Sequence, residues 1–338
     1  MLRWPVSWER RLQDEWSERS LLQLLLRPVS WIWGLAWLGG RLLRRLGLRR
    51  PVHLPVPVIV VGNISVGGSG KTPCVIALVE ALQARGLHPG VVSRGHGGRG
   101  RVEAVGIGSL ASEVGDEPLL IARRTGAPVW VGPKRVEAAR MLCHRHPEVD
   151  VLVSDDGLQH WPLPRVVEIA VVDARRGLGN GLLLPAGPLR EPPSRLREVD
   201  QVWLCGDGPA PAATAVLQRI SLRLAERMWA LDGSGRTAPL PSGRTVMAIA
   251  GIAAPWRFFD MLRDAGVRLQ ARPFADHHAF HADELAAYRH DCLLMTEKDA
   301  VKCASFAAPD WWVVPLEAAL PASAVDHLLK ALHATPTA

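Results

Sequence analysis

Apolar and polar positions along the chain alternate between short continuous apolar runs and helical repeats. Val58, Ile59, Val60 and Val61 form a β-branched run, followed by small residues and then by apolar positions at Ile76, Leu78, Val79 and Leu82 at helical spacing. Runs at 90–93, 129–131, 150–153, 168–173 and 202–204 read as further strands, with helices opening near Asp116 and Lys134 between them. Continuous apolar runs suit strands buried on both faces, and their alternation with helices predicts a doubly wound, mostly parallel α/β sheet. The run at 202–204 is expected to close the parallel set. Residues 206–242, rich in Gly, Pro and Ala, read as a connector with one or two short strands. Strands at 245–250, 293–295 and 311–316 and helices at 255–262 and 322–332 then predict a second, smaller α/β unit over 243–338. The first unit spans 51–205, and the ligand cleft is expected between the two.

Residues 1–50 follow a different pattern. An apolar stretch at 21–26 meets Arg27 and Pro28, resumes over 31–38, and ends in Arg41, Arg44, Arg45, Arg49 and Arg50. Trp4, Trp8, Trp16, Trp31, Trp33 and Trp37 crowd the same segment. Acidic residues (Glu9, Asp14, Glu15, Glu18) precede the apolar stretch and no small-residue cleavage site follows, which argues against a signal peptide. The Arg27-Pro28 interruption leaves about ten clean apolar residues where a span needs about twenty. The segment is therefore expected to be an amphipathic helix lying in a headgroup layer, arginines on anionic lipid. A helix packed on the protein's own core is the plainer alternative.

Composition narrows the setting. The 338 residues suffice for two domains, and the net charge of +7 suits an anionic partner. Cys74, Cys143, Cys205, Cys292 and Cys303 are widely spaced with no C-x-x-C pair, against a disulfide framework or structural zinc and in keeping with a reducing compartment.

The chemistry concentrates at the first strand's end. Val66, Gly67, Gly68, Ser69, Gly70, Lys71 and Thr72 lie between that strand and the first helix, the context in which a glycine-rich turn wraps phosphates with backbone N–H groups. Ser65 stands where the general P-loop pattern has its leading glycine. Lys71 is placed to reach the β- and γ-phosphates of a nucleotide, and Thr72 to ligate Mg²⁺. Asp155 and Asp156 end an apolar strand, where one carboxylate of a P-loop site holds Mg²⁺; the sequence leaves open which. Asp116 stands where a helix N-cap would, so capping accounts for it as readily as chemistry does. Lys134 and Arg135 open a helix with the charge sign that opposes its dipole, which points to a bound anion. His277, His278 and His281 lack further ligands at zinc spacing and read as proton- or phosphate-handling groups.

The ordered segments GNISVGGSGKTP, VVSRG, VGDEP, VSDDGLQH, GPLREP, AGIAAPWRFF, FADHHAF and TEKDAVK resemble those of the lipid A 4′-kinase (tetraacyldisaccharide 4′-kinase) family, over about residues 56–302. That family's loop also lacks the leading glycine; its SRG motif is usually followed by tyrosine, where this chain has His96. The resemblance implies an ATP- and Mg²⁺-dependent kinase for the 4′-hydroxyl of a tetraacylated glucosamine disaccharide 1-phosphate. It implies action as a monomer at the cytoplasmic face of the bacterial inner membrane, attached peripherally or monotopically. By the same analogy Asp116 is the general base with His277 as partner, and Asp155 or Asp156 completes the metal site. Gln159 then sits by the nucleotide, and Arg94, Glu117, Arg190 and Glu191 by the substrate. Two other readings compete. A GTPase would need a guanine-reading N-K-x-D motif, of which residues 296–299 are a partial echo. A nucleic-acid-binding assembly factor suits the charge but lacks a recognition motif, so no nucleic-acid partner is expected.

Overall fold

The computed structural model describes Trp16 and residues 21–48, 52–106, 108–212, 215–288 and 291–334. Trp4, Trp8, Glu9, Asp14, Glu15, Glu18, Arg49 and Arg50 lie outside the described residues. The strands are β1 Val58–Gly62, β2 Pro89–Ser93, β3 Glu103–Ala104, β4 Val129–Val131, β5 Val151–Asp155, β6 Val167–Asp173, β7 Gln201–Cys205 and β8 Val216–Leu224. There follow β9 Arg227–Ala230, β10 Thr237–Pro239, β11 Thr245–Ala250, β12 Arg268–Pro273, β13 Leu293–Thr296, β14 Trp311–Val314 and β15 Leu316–Ala319. The helices that matter for the site are α1 Leu21–Arg45, α2 Lys71–Gln83, α3 Asp116–Thr125, α4 Arg135–Arg145, α5 Pro255–Asp264, α6 Glu297–Cys303 and α7 Ala322–Ala334.

Among the described residues the larger sheet runs β15-β8-β7-β6-β1-β5-β2-β4-β3, parallel except at its edge pairs β3–β4 and β15–β8. Its central strand shows why the sequence reads as an unbroken apolar run. Ile59 and Val61 pack with Leu78 of α2 and Leu119 of α3, while Val58 and Val60 pack on the opposite face with Ala138 and Leu142 of α4. Both faces are buried, so no polar residue is tolerated between them. The smaller sheet, β10-β9-β14-β13-β11-β12, has a parallel β12-β11-β13-β14 core.

Three expectations are corrected. The parallel set does not close at 202–204, because β8 extends it in register with β7. That strand alternates exposed and part-buried residues as an outlying strand does, and so lacks the apolar run that marks its neighbours. The chain also divides differently from a 206–242 connector and a 243–338 unit. After β14 it returns to the larger sheet, β15 pairing with β8 and α7 placing Ala324 and Leu328 in the core of Ile59 and Val61. Gln201 Nε2 donates to Ala324 O at 3.1 Å and fastens that return. Two crossings thus join the units, tied where Ala225 N donates to Pro315 O at 2.9 Å.

Third, α1 runs through Pro28 without a break. Pro28 and Leu24, whose carbonyl loses its helical donor, are both exposed, and Ser30 beyond them donates to Leu183 O at 2.9 Å and accepts from Ala186 N at 3.0 Å. The helix is long and apolar enough to cross a membrane by length and composition. Its amphipathicity is inverted. Gln23, Ser30, Trp37, Arg41 and Arg44 form a largely polar stripe against the protein, while Leu21, Leu25, Ile32, Leu35 and Leu42 are exposed.

Candidate active site

A cavity of about 1130 Å³ lies at the carboxyl ends of the central strands, between the two units. Val66, Gly67, Gly68, Ser69, Gly70, Lys71, Thr72, Arg94, Glu117, Asp155, Asp156, Gln159, Arg190 and His277 all line it. Asp116 and Glu191 do not; they stand behind the lining, 5% and 1% exposed.

The phosphate loop is shaped by conformation and crowding together. Gly70 caps α2 in a left-handed conformation (φ 82°), and a Cβ there would meet Leu222 Cδ1 at 2.8 Å. Gly67 has φ 98° and would put a Cβ at 2.5 Å from the Arg176 guanidinium. Lys71, at the helix start, sits 2.7 Å from Asp156 Oδ1. Arg190 Nη1 adds a second cation, 3.0 Å from Asp156 Oδ2. Burial favours the neutral carboxyl, but Lys71 and then Arg190 outweigh it and hold Asp156 well below the usual carboxylate range. Arg135 is not left waiting for an anion: it is 4% exposed and donates to Asp156 O at 2.6 Å.

Asp155 behaves oppositely. Fully buried, it accepts from Ser93 Oγ at 3.1 Å on Oδ2, while its buried Oδ1 has no hydrogen-bond partner. Burial pushes its carboxyl up to about 6, with Lys71 opposing and Glu117 and Asp156 adding to the rise. Thr72 Oγ1 donates to Glu117 Oε1 at 3.2 Å. Thr72, Glu117 and an under-satisfied Asp155 are a hard oxygen set of the kind that suits Mg²⁺.

Across the cleft His277 Nδ1 meets Asp116 Oδ2 at 2.9 Å and Oδ1 at 3.1 Å. An ionised carboxylate only accepts, so Nδ1 carries the proton. Asp116 is the first residue of α3 rather than its N-cap, which is Gly115; its Oδ1 accepts from Glu117 N at 2.9 Å. Burial opposes ionisation of Asp116, yet Lys298 and then the His277 hydrogen bond hold it well below the usual range. The same bond raises the His277 imidazole against the effect of burial. Asp156 and His277 are the two non-glycine residues with positive φ among the described residues, at 51° and 55°. Strain of this kind persists where surrounding contacts over-determine it, as at active sites.

Other groups lie in segments that the sequence singled out, but their pairing across the two units had no signal there. Lys298, first turn of α6, donates to Glu117 Oε1 at 3.0 Å, and Arg124 pairs with Glu297 at 2.5 Å, so α6 grips both ends of α3 from the other unit. Arg257 of α5 bridges to Asp173 at 2.6 Å, a third crossing. These are charged residues near strand ends, which local pattern cannot pair across 84 to 181 positions. His96 packs edge-on against His277, ring centroids 5.1 Å apart. His278 turns away to Glu284 (2.8 Å) between Phe274 and Phe280. Glu191, expected by the substrate, faces inward to Gln159 Nε2 at 2.6 Å and Trp37 Nε1 at 3.1 Å.

Comparison with known proteins adds to this geometry. Residues 22–333 match the family model described as LpxK, tetraacyldisaccharide-1-P 4′-kinase. The tetraacyldisaccharide 4′-kinase of Methylobacillus flagellatus is 45% identical over 329 residues, covering 96% of this chain and 97% of its own. That of Thiobacillus denitrificans is 50% identical, with 93% and 96% covered. A crystal structure of LpxK from Aquifex aeolicus in complex with ATP superposes with a TM-score of 0.78 at 25% identity, covering 92% of this chain and all of that one.

Proposed function

The chain belongs to the tetraacyldisaccharide-1-P 4′-kinase family, and from that premise we propose how its residues carry the family's reaction, ATP-dependent phosphorylation of the 4′-hydroxyl of a tetraacylated glucosamine disaccharide 1-phosphate in lipid A biosynthesis. The observation that carries the proposal is the Asp116–His277 pair, one member from each unit, with His277 lining the phosphate-loop cavity and Asp116 just behind it. Backbone N–H groups of Val66, Gly67, Gly68, Ser69 and Gly70 cradle the phosphates, and Lys71 offsets charge on the transferred group. The oxygen set fits Mg²⁺, with Thr72 and Asp155 as its holders; Asp156, already engaged by Lys71 and Arg190, orients those two cations. When bound, the ion supplies charge neutralisation at the phosphoryl oxygens.

Asp116 is the general base for the sugar hydroxyl. Asp116 takes the hydroxyl proton as the sugar oxygen bonds the transferred phosphorus, while the Nδ1–H of His277 holds and orients its carboxylate. Because the partners come from different units, closure assembles them. Arg94 and Arg190 are the cations placed for the anionic sugar, with Glu117 beside them and Gln159 at the nucleotide.

The exposed apolar face of α1 supports attachment to a membrane, and we assign it to the cytoplasmic face of the inner membrane, where ATP and the glycolipid meet. The helix is fastened from Ser30 to Arg44, so a span would draw polar loop contacts into hydrocarbon. An in-plane seat leaves them intact.

The division of labour has a direct test. Asp116→Ala is expected to lose roughly 10²–10⁴-fold in kcat while ATP affinity by calorimetry stays near that of the parent. Lys71→Ala is expected to lose both. Equal affinity losses in the two variants would sink the assignment.

A further inference from the structure

Two tryptophans of α1 do more than fasten the helix: Trp37 lies on its inward stripe, and Trp33, 46% exposed, edges the cavity. Trp33 Nε1 donates to Arg190 O at 3.0 Å, and Trp37 Nε1 donates to Glu191 Oε2 at 3.1 Å. These are adjacent residues of one loop corner, and each continues into the site. Arg190 Nη1 reaches Asp156 at 3.0 Å, beside Lys71. Glu191 Oε1 accepts from Gln159 Nε2 at 2.6 Å, the same nitrogen that donates to Asn63 O at 3.1 Å; Asn63 Nδ2 then donates to Ser69 Oγ of the phosphate loop at 3.3 Å. Glu191 is 1% exposed, and the Arg195 guanidinium stands 3.3 Å away. Two indole N–H groups on one helix, one turn apart, therefore end two chains of hydrogen bonds whose other ends are Asp156 and Ser69.

We propose that Trp33 and Trp37 are positioning residues for phosphoryl transfer: through the Arg190–Glu191 corner, α1 sets Arg190 against Asp156 and sets Gln159 under the phosphate loop. The proposal rests on reading Asp156 and Arg190 as site groups. Backbone at residue 190 is pinned by Trp33 from outside and by its own N–H to Ile64 O (2.7 Å) from inside, so its side chain leaves from a fixed point. Hydrogen bonds to a buried carboxylate are the strong kind, and removing the Trp37 donor leaves Glu191 Oε2 to Arg195 alone, which draws the carboxylate, and Gln159 with it, off position. An indole is suited to the task, because it donates one hydrogen bond while its ring stays apolar at a helix surface.

The test uses the full chain with Trp33→Phe/Trp37→Phe, which removes both donors and keeps aromatic rings. Kinetics are read on Mg-ATP and detergent-dispersed tetraacyldisaccharide 1-phosphate, and attachment by flotation with phosphatidylethanolamine/phosphatidylglycerol vesicles. The expected result is a kcat loss of about tenfold or more with little change in lipid KM, and flotation equal to the parent's. Gln159→Ala is combined with Trp37→Phe as a cycle, and the double variant is expected to lose less than the product of the single losses. Unchanged kcat, a loss that follows flotation, or independent effects in the cycle would each overturn the proposal. If the double tryptophan variant does not melt cooperatively, Trp37→Phe alone decides by the same readouts. Asp156→Asn is run alongside: parent-like turnover there would bring down the site reading itself, a different failure from that of the tryptophans.

Discussion

His277 keeps a left-handed backbone at φ 55° while its ring reaches Asp116 in the other unit, so its contribution depends on charge. Its imidazole is raised in the folded protein, chiefly by the Asp116 hydrogen bond. A raised histidine stabilises fully below the unfolded value of about 6.5, and that contribution is lost as pH rises through the folded value. Asp116 is depressed, so its own contribution is present above the unfolded carboxylate range and fails only in stronger acid. His277→Asn, which tolerates the same backbone, is therefore expected to cost about 1 kcal/mol at pH 5.5 and clearly less at pH 9 in denaturant melts. An equal cost at both pH values would contradict the ion pair. Lys71, Thr72 and the Asp155–Asp156 pair were legible because strand, turn and helix follow one another locally. Lys298 was not: its partner Glu117 lies 181 positions away, and a lysine in a first helical turn carries no local sign of that pairing. Glu191 illustrates a related point, since sequence adjacency to Arg190 does not say that one side chain lines the cavity while the other is buried behind it.

The elements that sequence pattern placed well are those buried on both faces, where β-branched runs leave no ambiguity. The outlying strand β8 and the final helix α7 were legible as types but not in where they pack, because an amphipathic pattern names a buried face without naming the sheet that buries it. In α1 the same pattern carried a further message. Its polar stripe faces the protein and its apolar face does not, the reverse of an ordinary surface helix. Leu25→Asp and Ile32→Asp, at positions 75% and 67% exposed, are each expected to weaken vesicle binding by about tenfold or more. Flotation matching the parent's in both would remove the lipid-facing role of that face. Arg27 and Pro28 interrupt the apolar run without interrupting the helix, so the run understated the helix's length.

At the scale of the molecule, the two α/β units meet through ion pairs, His277–Asp116, Lys298–Glu117, Glu297–Arg124 and Arg257–Asp173, beside apolar packing in which Val301 of α6 joins the core of Ile59 and Leu119. Interfaces of this polarity permit relative motion, and the two crossings tied at Ala225 and Pro315 are where it would be absorbed. The nucleotide loop belongs to one unit and the base's partner to the other, which is why the arrangement suits a reaction that must keep ATP from water until the glycolipid is seated. The measurement that tests this account most directly gives purified protein γ-labelled ATP, Mg²⁺ and detergent-dispersed tetraacyldisaccharide 1-phosphate, with the parent, Asp116→Ala and His277→Ala side by side. The account predicts label on the 4′-position with the parent and its loss with Asp116→Ala. His277→Ala should fall between them, with ATP binding retained in all three. Undiminished label with both variants would contradict a base assembled across the two units.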